Sequence, residues 1–177
     1  MRQSRGLWFD AALVGIAAAL ASLAQAHSAS DAYLTLTAQN STVSDTVVHG
    51  QWDIALRDLD FVLELDDNGD GRIVWGELRK HQKAVADYAY SNIVIMADGK
   101  ACRIEPTGQA VDNHADGAYA ALFFDAFCGA AASQLTLDYR LFFRIDPSHR
   151  GVFVLRSGAK VATAVLSPVN ARIELGL

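Results

Sequence analysis

The chain has 177 residues, 51% hydrophobic and 20% charged, with a formal net charge of −5. That acidity argues against nucleic acid or an anionic membrane surface as partner, because both attract basic surfaces. The length suits one packed core, and no linker, internal repeat or low-complexity tract marks a second domain.

Residues 1–26 have the layout of a secretory signal. Arg2 and Arg5 precede an apolar run from Ala11 to Leu23, and Ala24-Gln25-Ala26 is a small-x-small cleavage site. The run is short for a membrane span, and a retained anchor is the competing reading. Cleavage would leave a domain of residues 27–177, and its charge would become −6 because two bases and one acid leave together. A periplasmic or secreted location follows. No later stretch stays apolar for eighteen residues, so no transmembrane segment is expected in the mature chain. A mature terminus at His27 would place an α-amino group, an imidazole and the first amides together, a set that chelates copper(II) or nickel(II). This gives one candidate function, a periplasmic nickel or copper carrier built on His27, with His49, His81, His114 or His149 completing the site. A frayed, solvated terminus is the plainer account.

Alternation with period two predicts strands at Ala32 to Thr37 and Val48 to Leu56, the latter directing Trp52 and Ile54 inward and His49, Gln51 and Asp53 outward. Leu56, Leu59 and Leu63 recur at helical spacing, with Asp58 as the expected N-cap of a short helix. A second helix is expected from Trp75 to about Ser91, its apolar stripe carried by Trp75, Leu78, Val85 and Ala89.

Between these helices, Asp66 to Glu77 reads DDNGDGRIVWGE, the ligand pattern of an EF-hand calcium loop. Calcium takes six to eight oxygens, and the loop offers them in order: Asp66 at position 1, Asn68 at 3, Asp70 at 5, the Arg72 carbonyl at 7 and Glu77 at 12. Gly71 occupies position 6, where the sharp turn needs positive φ. Val74 at position 9 is not a ligand type, and water commonly serves there. Because EF-hands usually pair through position 8 and no second loop occurs, Ile73 is expected to pack on the host domain. A lone loop of this kind should be weak, with a Kd on the order of 0.1 to 1 mM. An Asx-rich surface turn without an ion is the bland alternative.

Further strands are expected at Asn92 to Met96, Ala101 to Glu105, Tyr119 to Asp125, Leu135 to Phe143, Val152 to Arg156, Lys160 to Leu166 and Asn170 to Leu175. Turns fall at Asp98-Gly99, Asp146-Pro147 and Ser157-Gly158. Trp52, Trp75 and the Tyr139 to Phe143 run read as core. His49 and His81 read as solvated, and His114 and His149 as turn residues. Asp112, His114 and Asp116 alternate in a way that could face a metal, although a surface loop explains them more simply. Cys102 and Cys128, the only cysteines, are expected to form a disulfide in an exported chain. The fold class expected is mainly β, an antiparallel sandwich with an inserted EF-hand-like helix-loop-helix at about residues 57–91. No nucleophile elbow, zinc-protease helix or phosphate loop occurs, and an enzyme is not expected.

Four runs, AHSASDAYLTL, GQWDIALRDLDFVLELDDNGDGRIVWGEL, TGQAVDNHADGAYAAL and LTLDYRLFFRIDPSHRG, carry a resemblance to the extracytoplasmic N-terminal region of the HupE/UreJ family. Proteins of that family are nickel or cobalt permeases whose membrane-embedded half carries the transport residues. The resemblance implies a periplasmic calcium-loop domain that works beside a membrane transporter or another periplasmic protein. It does not carry transport itself over to residues 1–177.

Overall fold

The computed structural model describes residues 30–39 and 45–177. The expected signal, its cleavage site and His27 lie outside the described residues. In chain order the elements are β1 (Asp31–Gln39), β2 (Val47–Ala55), α1 (Leu56–Leu63), α2 (Trp75–Lys80), α3 (Gln82–Ser91), β3 (Ile93–Ala97), β4 (Lys100–Ala101), β5 (Arg103–His114), β6 (Gly117–Phe127), β7 (Gln134–Tyr139), β8 (Arg150–Ser157), β9 (Lys160–Leu166) and β10 (Arg172–Gly176). They build a six-stranded sheet in the order β5-β6-β2-β1-β8-β9 and a four-stranded sheet in the order β10-β7-β3-β4. The mainly β sandwich expected from alternation is present, with one correction. β1 and β8 run parallel, Leu34 opposite Phe153, so the larger sheet is mixed.

Alternation explains which face is buried. Ala32, Leu34, Leu36 and Ala38 of β1 point into the core, while Tyr33, Thr35 and Thr37 face outward. On β2, Val48, Trp52 and Ile54 do the same, and Gly50 completes the row. A Cβ at Gly50 would fall 2.1 Å from the Phe124 ring, so the missing side chain is the space that ring fills. Between the sheets, Tyr139 of β7 lies over Gly151 of β8, where a Cβ would come within 2.9 Å of its ring. The Trp52 ring is 5.5 Å from Tyr139. These close approaches set the sheet-to-sheet packing.

The Cys102–Cys128 disulfide is formed. It staples the point where the chain leaves β4 of the small sheet for β5 of the large one to the far end of β6. Closing a loop with a sequence separation of 26 stabilises by about 3 kcal/mol in the chain-entropy picture.

Several local expectations are corrected. β5 extends to His114, because Pro106 and Gly108 form a bulge inside the strand instead of ending it. β7 stops at Tyr139, because Phe142 adopts φ 58° in the following turn and so turns its ring back into the core beside His149. The N-cap of α1 is Ala55, with Asp58 in the first turn, where its charge favours the helix N-terminus. The exit helix breaks at His81 into α2 and α3. Trp75 is 47% exposed, since the six-residue α2 buries itself through Glu77 and Leu78 and leaves Trp75 at the rim of a shallow groove beside Ile73 and Val111.

Candidate functional site

The acidic loop is held at both ends by apolar anchors. Leu65 immediately before Asp66, and Leu78 immediately after Glu77, are both buried. Ile73 packs against the core, as expected for a loop without a twin. Glu64, at φ 51°, ends α1 with its N–H donated to the Asp60 carbonyl at 2.8 Å. The Asp60 carboxylate in turn accepts from the Asp66 N–H at 2.9 Å, fixing the first loop residue to the incoming helix.

Inside the loop, the carboxylates turn the backbone around themselves. Asp66 accepts from the N–H groups of Gly69 at 2.9 Å, Asp70 at 3.2 Å and Gly71 at 2.7 Å. Asn68 Oδ1 accepts from Asp70 N–H, and Asp70 Oδ1 from Arg72 N–H. Gly71 takes φ 78° and Gly69 φ 71°, conformations that a side chain would penalise. Glu77 reaches back from the third residue of α2 to accept the Val74 N–H at 2.9 Å, satisfying one donor of a helix end whose N-cap valine has no acceptor of its own.

The distribution of countercharge is uneven. Asp67, at the non-ligand second position, is clamped by Lys80 at 2.9 Å and His81 at 2.8 Å from the end of α2. Those hydrogen bonds, led by the Lys80 contact, hold its carboxyl below the usual range. Among the described residues, no cationic side chain comes within ion-pair distance of Asp66, Asp70 or Glu77, and Glu77 is only 5% exposed. A carboxylate buried to that degree without a cation is costly. The donor set therefore fits a hard cation: four side chains with free lone pairs, and an Arg72 carbonyl that accepts no hydrogen bond from the described residues. The three carboxylates do not all lie within 4.8 Å of one another, the spacing of oxygens on opposite sides of a calcium ion being about 4.8 Å. The loop is thus somewhat more open than a closed oxygen cage.

The histidines divide differently from the sequence reading. His49 is half exposed but bonds Asp125 at 2.6 Å, and His81 pairs with Asp67 across the acidic loop. His149, expected in a turn, is fully buried. It sits between Ser30 Oγ at 2.8 Å and Tyr139 OH at 2.8 Å. Because Ser30 donates its own proton to Asp58 Oδ2 at 2.9 Å, it must accept from His149 Nδ1–H, leaving Nε2 to accept from the tyrosine. That makes the ring neutral, and burial pushes its pKa down to about 4. His114 ends β5, not in a loop, and faces Asp53 and Asp112; Asp116 turns away to accept from Tyr119 OH at 2.9 Å. No expectation had paired His114 with Asp53, since only the strand register brings β2 and the β5 tip together.

Among the described residues, no helix is long and apolar enough to cross a membrane. No protein-family model matches the chain, and no curated protein matches it.

Proposed function

We propose that the domain binds a single calcium ion in the EF-hand-like loop, as a structural ion that fixes the helix-loop-helix insertion on the sandwich. Asp66, Asn68, Asp70 and Glu77 would ligate through side chains, and Arg72 through its carbonyl. The observation that carries this reading is the uneven pairing: Asp67, at a non-ligand position, is bonded by Lys80 and His81, whereas none of the three carboxylates at ligand positions has a cation within ion-pair distance among the described residues and one of them is nearly buried. A role beside a membrane transporter, outside the cytoplasm, rests on the family resemblance and the N-terminal layout.

Terbium, a calcium surrogate, tests the site. Trp75 stands two residues before Glu77 with its ring half exposed, placing it to sensitise lanthanide luminescence. A rising signal on titration, competed by calcium and lost in Glu77→Gln, is expected. An unaltered signal in Glu77→Gln would remove the loop as the site.

A further inference from the structure

A second group of ligand-type side chains lies on the outer face of the large sheet. Asp53 of β2 and Asp112 and His114 of β5 bring one ligand atom each within 4.8 Å of one another. Register alone would not do this. Asp53 stands opposite Ala121 of β6, and His114 opposite Gly117, four residues further along the same strand. Their contact means that the β5–β6 tip bends over the sheet. The His114 ring is fixed there by stacking on Tyr119 at 4.1 Å and Tyr33 at 5.0 Å.

The spacing within the group differs from that of an ordinary histidine–carboxylate pair. His49–Asp125 and His81–Asp67 close to 2.6 and 2.8 Å. His114 Nε2 instead stands 3.3 Å from Asp53 Oδ2 and 4.0 Å from Asp112 Oδ2. Atoms bound to one ion at about 2.1 Å are about 3.0 Å apart at right angles and about 3.4 Å apart at the tetrahedral angle. The His114–Asp53 pair is therefore set at the distance of fellow ligands, and Asp112 lies somewhat further out, on an exposed side chain free to move inward. Asp53 is only 7% exposed, and Gln51 Nε2 donates to both its oxygens, at 2.9 and 3.3 Å. Such an outer hydrogen bond is what orients a ligating carboxylate.

We propose that Asp53, Asp112 and His114 bind a borderline divalent transition ion of the zinc class through one imidazole nitrogen and two carboxylate oxygens, with water in the remaining positions. The nitrogen donor separates this site from the oxygen-only loop, because calcium prefers all-oxygen shells whereas zinc accepts imidazole readily. The two sites share no residue, so the proposal stands apart from the calcium reading.

The test is a calorimetric titration of the protein with zinc in millimolar calcium, which keeps the acidic loop occupied if it binds calcium. One equivalent is expected, weakened at least tenfold in His114→Ala and in Asp112→Asn, and unchanged in His27→Ala and His81→Ala. The Asp112 side chain is 55% exposed, so its amide variant keeps the fold even if removing the stacked His114 ring does not. No zinc uptake by the parent protein, or affinity in Asp112→Asn equal to the parent's, overturns the assignment.

Discussion

The sandwich and the helix-loop-helix insertion are stabilised on different scales of the chain. The sandwich depends on contacts between residues far apart in sequence: Phe124 filling the space at Gly50, Tyr139 over Gly151, Trp52 beside Tyr139. The insertion is tied to it by a handful of apolar anchors, among them Leu56, Leu59, Leu65, Leu78, Val85 and Ala89. Its loop is otherwise organised by its own side chains, with Asp66, Asn68, Asp70 and Glu77 each bonded to backbone within a few residues. A region built locally can be reshaped by one ligand, whereas a region built from distant contacts resists until it fails as a whole.

Breaking the sandwich should have the largest effect. Trp52→Ala empties the space against Tyr139, and we expect a loss of about 4 kcal/mol in urea unfolding. A smaller loss, near that of an exposed substitution, would mean the two sheets are not coupled through this ring.

The buried His149 link comes next. Its folded pKa is pushed down to about 4 from 6.5, so between those values the unfolded chain binds more protons than the folded one. Stability is therefore full above about pH 6.5 and falls as the pH drops towards 4, by at most about 3 kcal/mol from this group. Thermal melts across that window should show a flatter pH dependence in His149→Gln than in the parent, whatever the absolute stabilities.

The insertion should respond to calcium instead. At a hundredfold excess over Kd, the proposed site would add about 2.7 kcal/mol, an increment absent in Glu77→Gln. Without calcium the variant should be at least as stable as the parent, because the glutamine amide oxygen can still accept the Val74 N–H and a buried carboxylate without a cation is removed. The smallest effect belongs to Phe61, 80% exposed on α1. Phe61→Ser should change urea stability by no more than about 0.5 kcal/mol.

The same contrast explains what could be read in advance. The acidic loop was legible because its ligand spacing, its glycines and its helix-facing Glu77 all lie within twelve consecutive residues. Most strands were legible because burial of one face enforces period two. β5 was not, because Pro106 and Gly108 carry a turn signal that only pairing with β6 overrides as a bulge. The Leu141 to Phe143 stretch continues an alternation that the positive φ of Phe142 breaks, with the ring still buried. His149 could not be placed, since its partners Ser30 and Tyr139 come from β-strand ends that sequence separation hides. The Asp53–Asp112–His114 group was half visible, as a pattern on β5, and its third member required strand order.

The parallel pairing of β1 with β8 bears on when this domain can form. The first described strand sits in the middle of the larger sheet, with one side bonded to its neighbour in sequence and the other to a strand from the last quarter of the chain. Until β8 arrives, that side of β1 is an unsatisfied ribbon of peptide groups open to adhesion by other chains. High contact order of this kind slows folding and exposes late intermediates, so a chain emerging N-terminus first would depend on protection until β8 had been released.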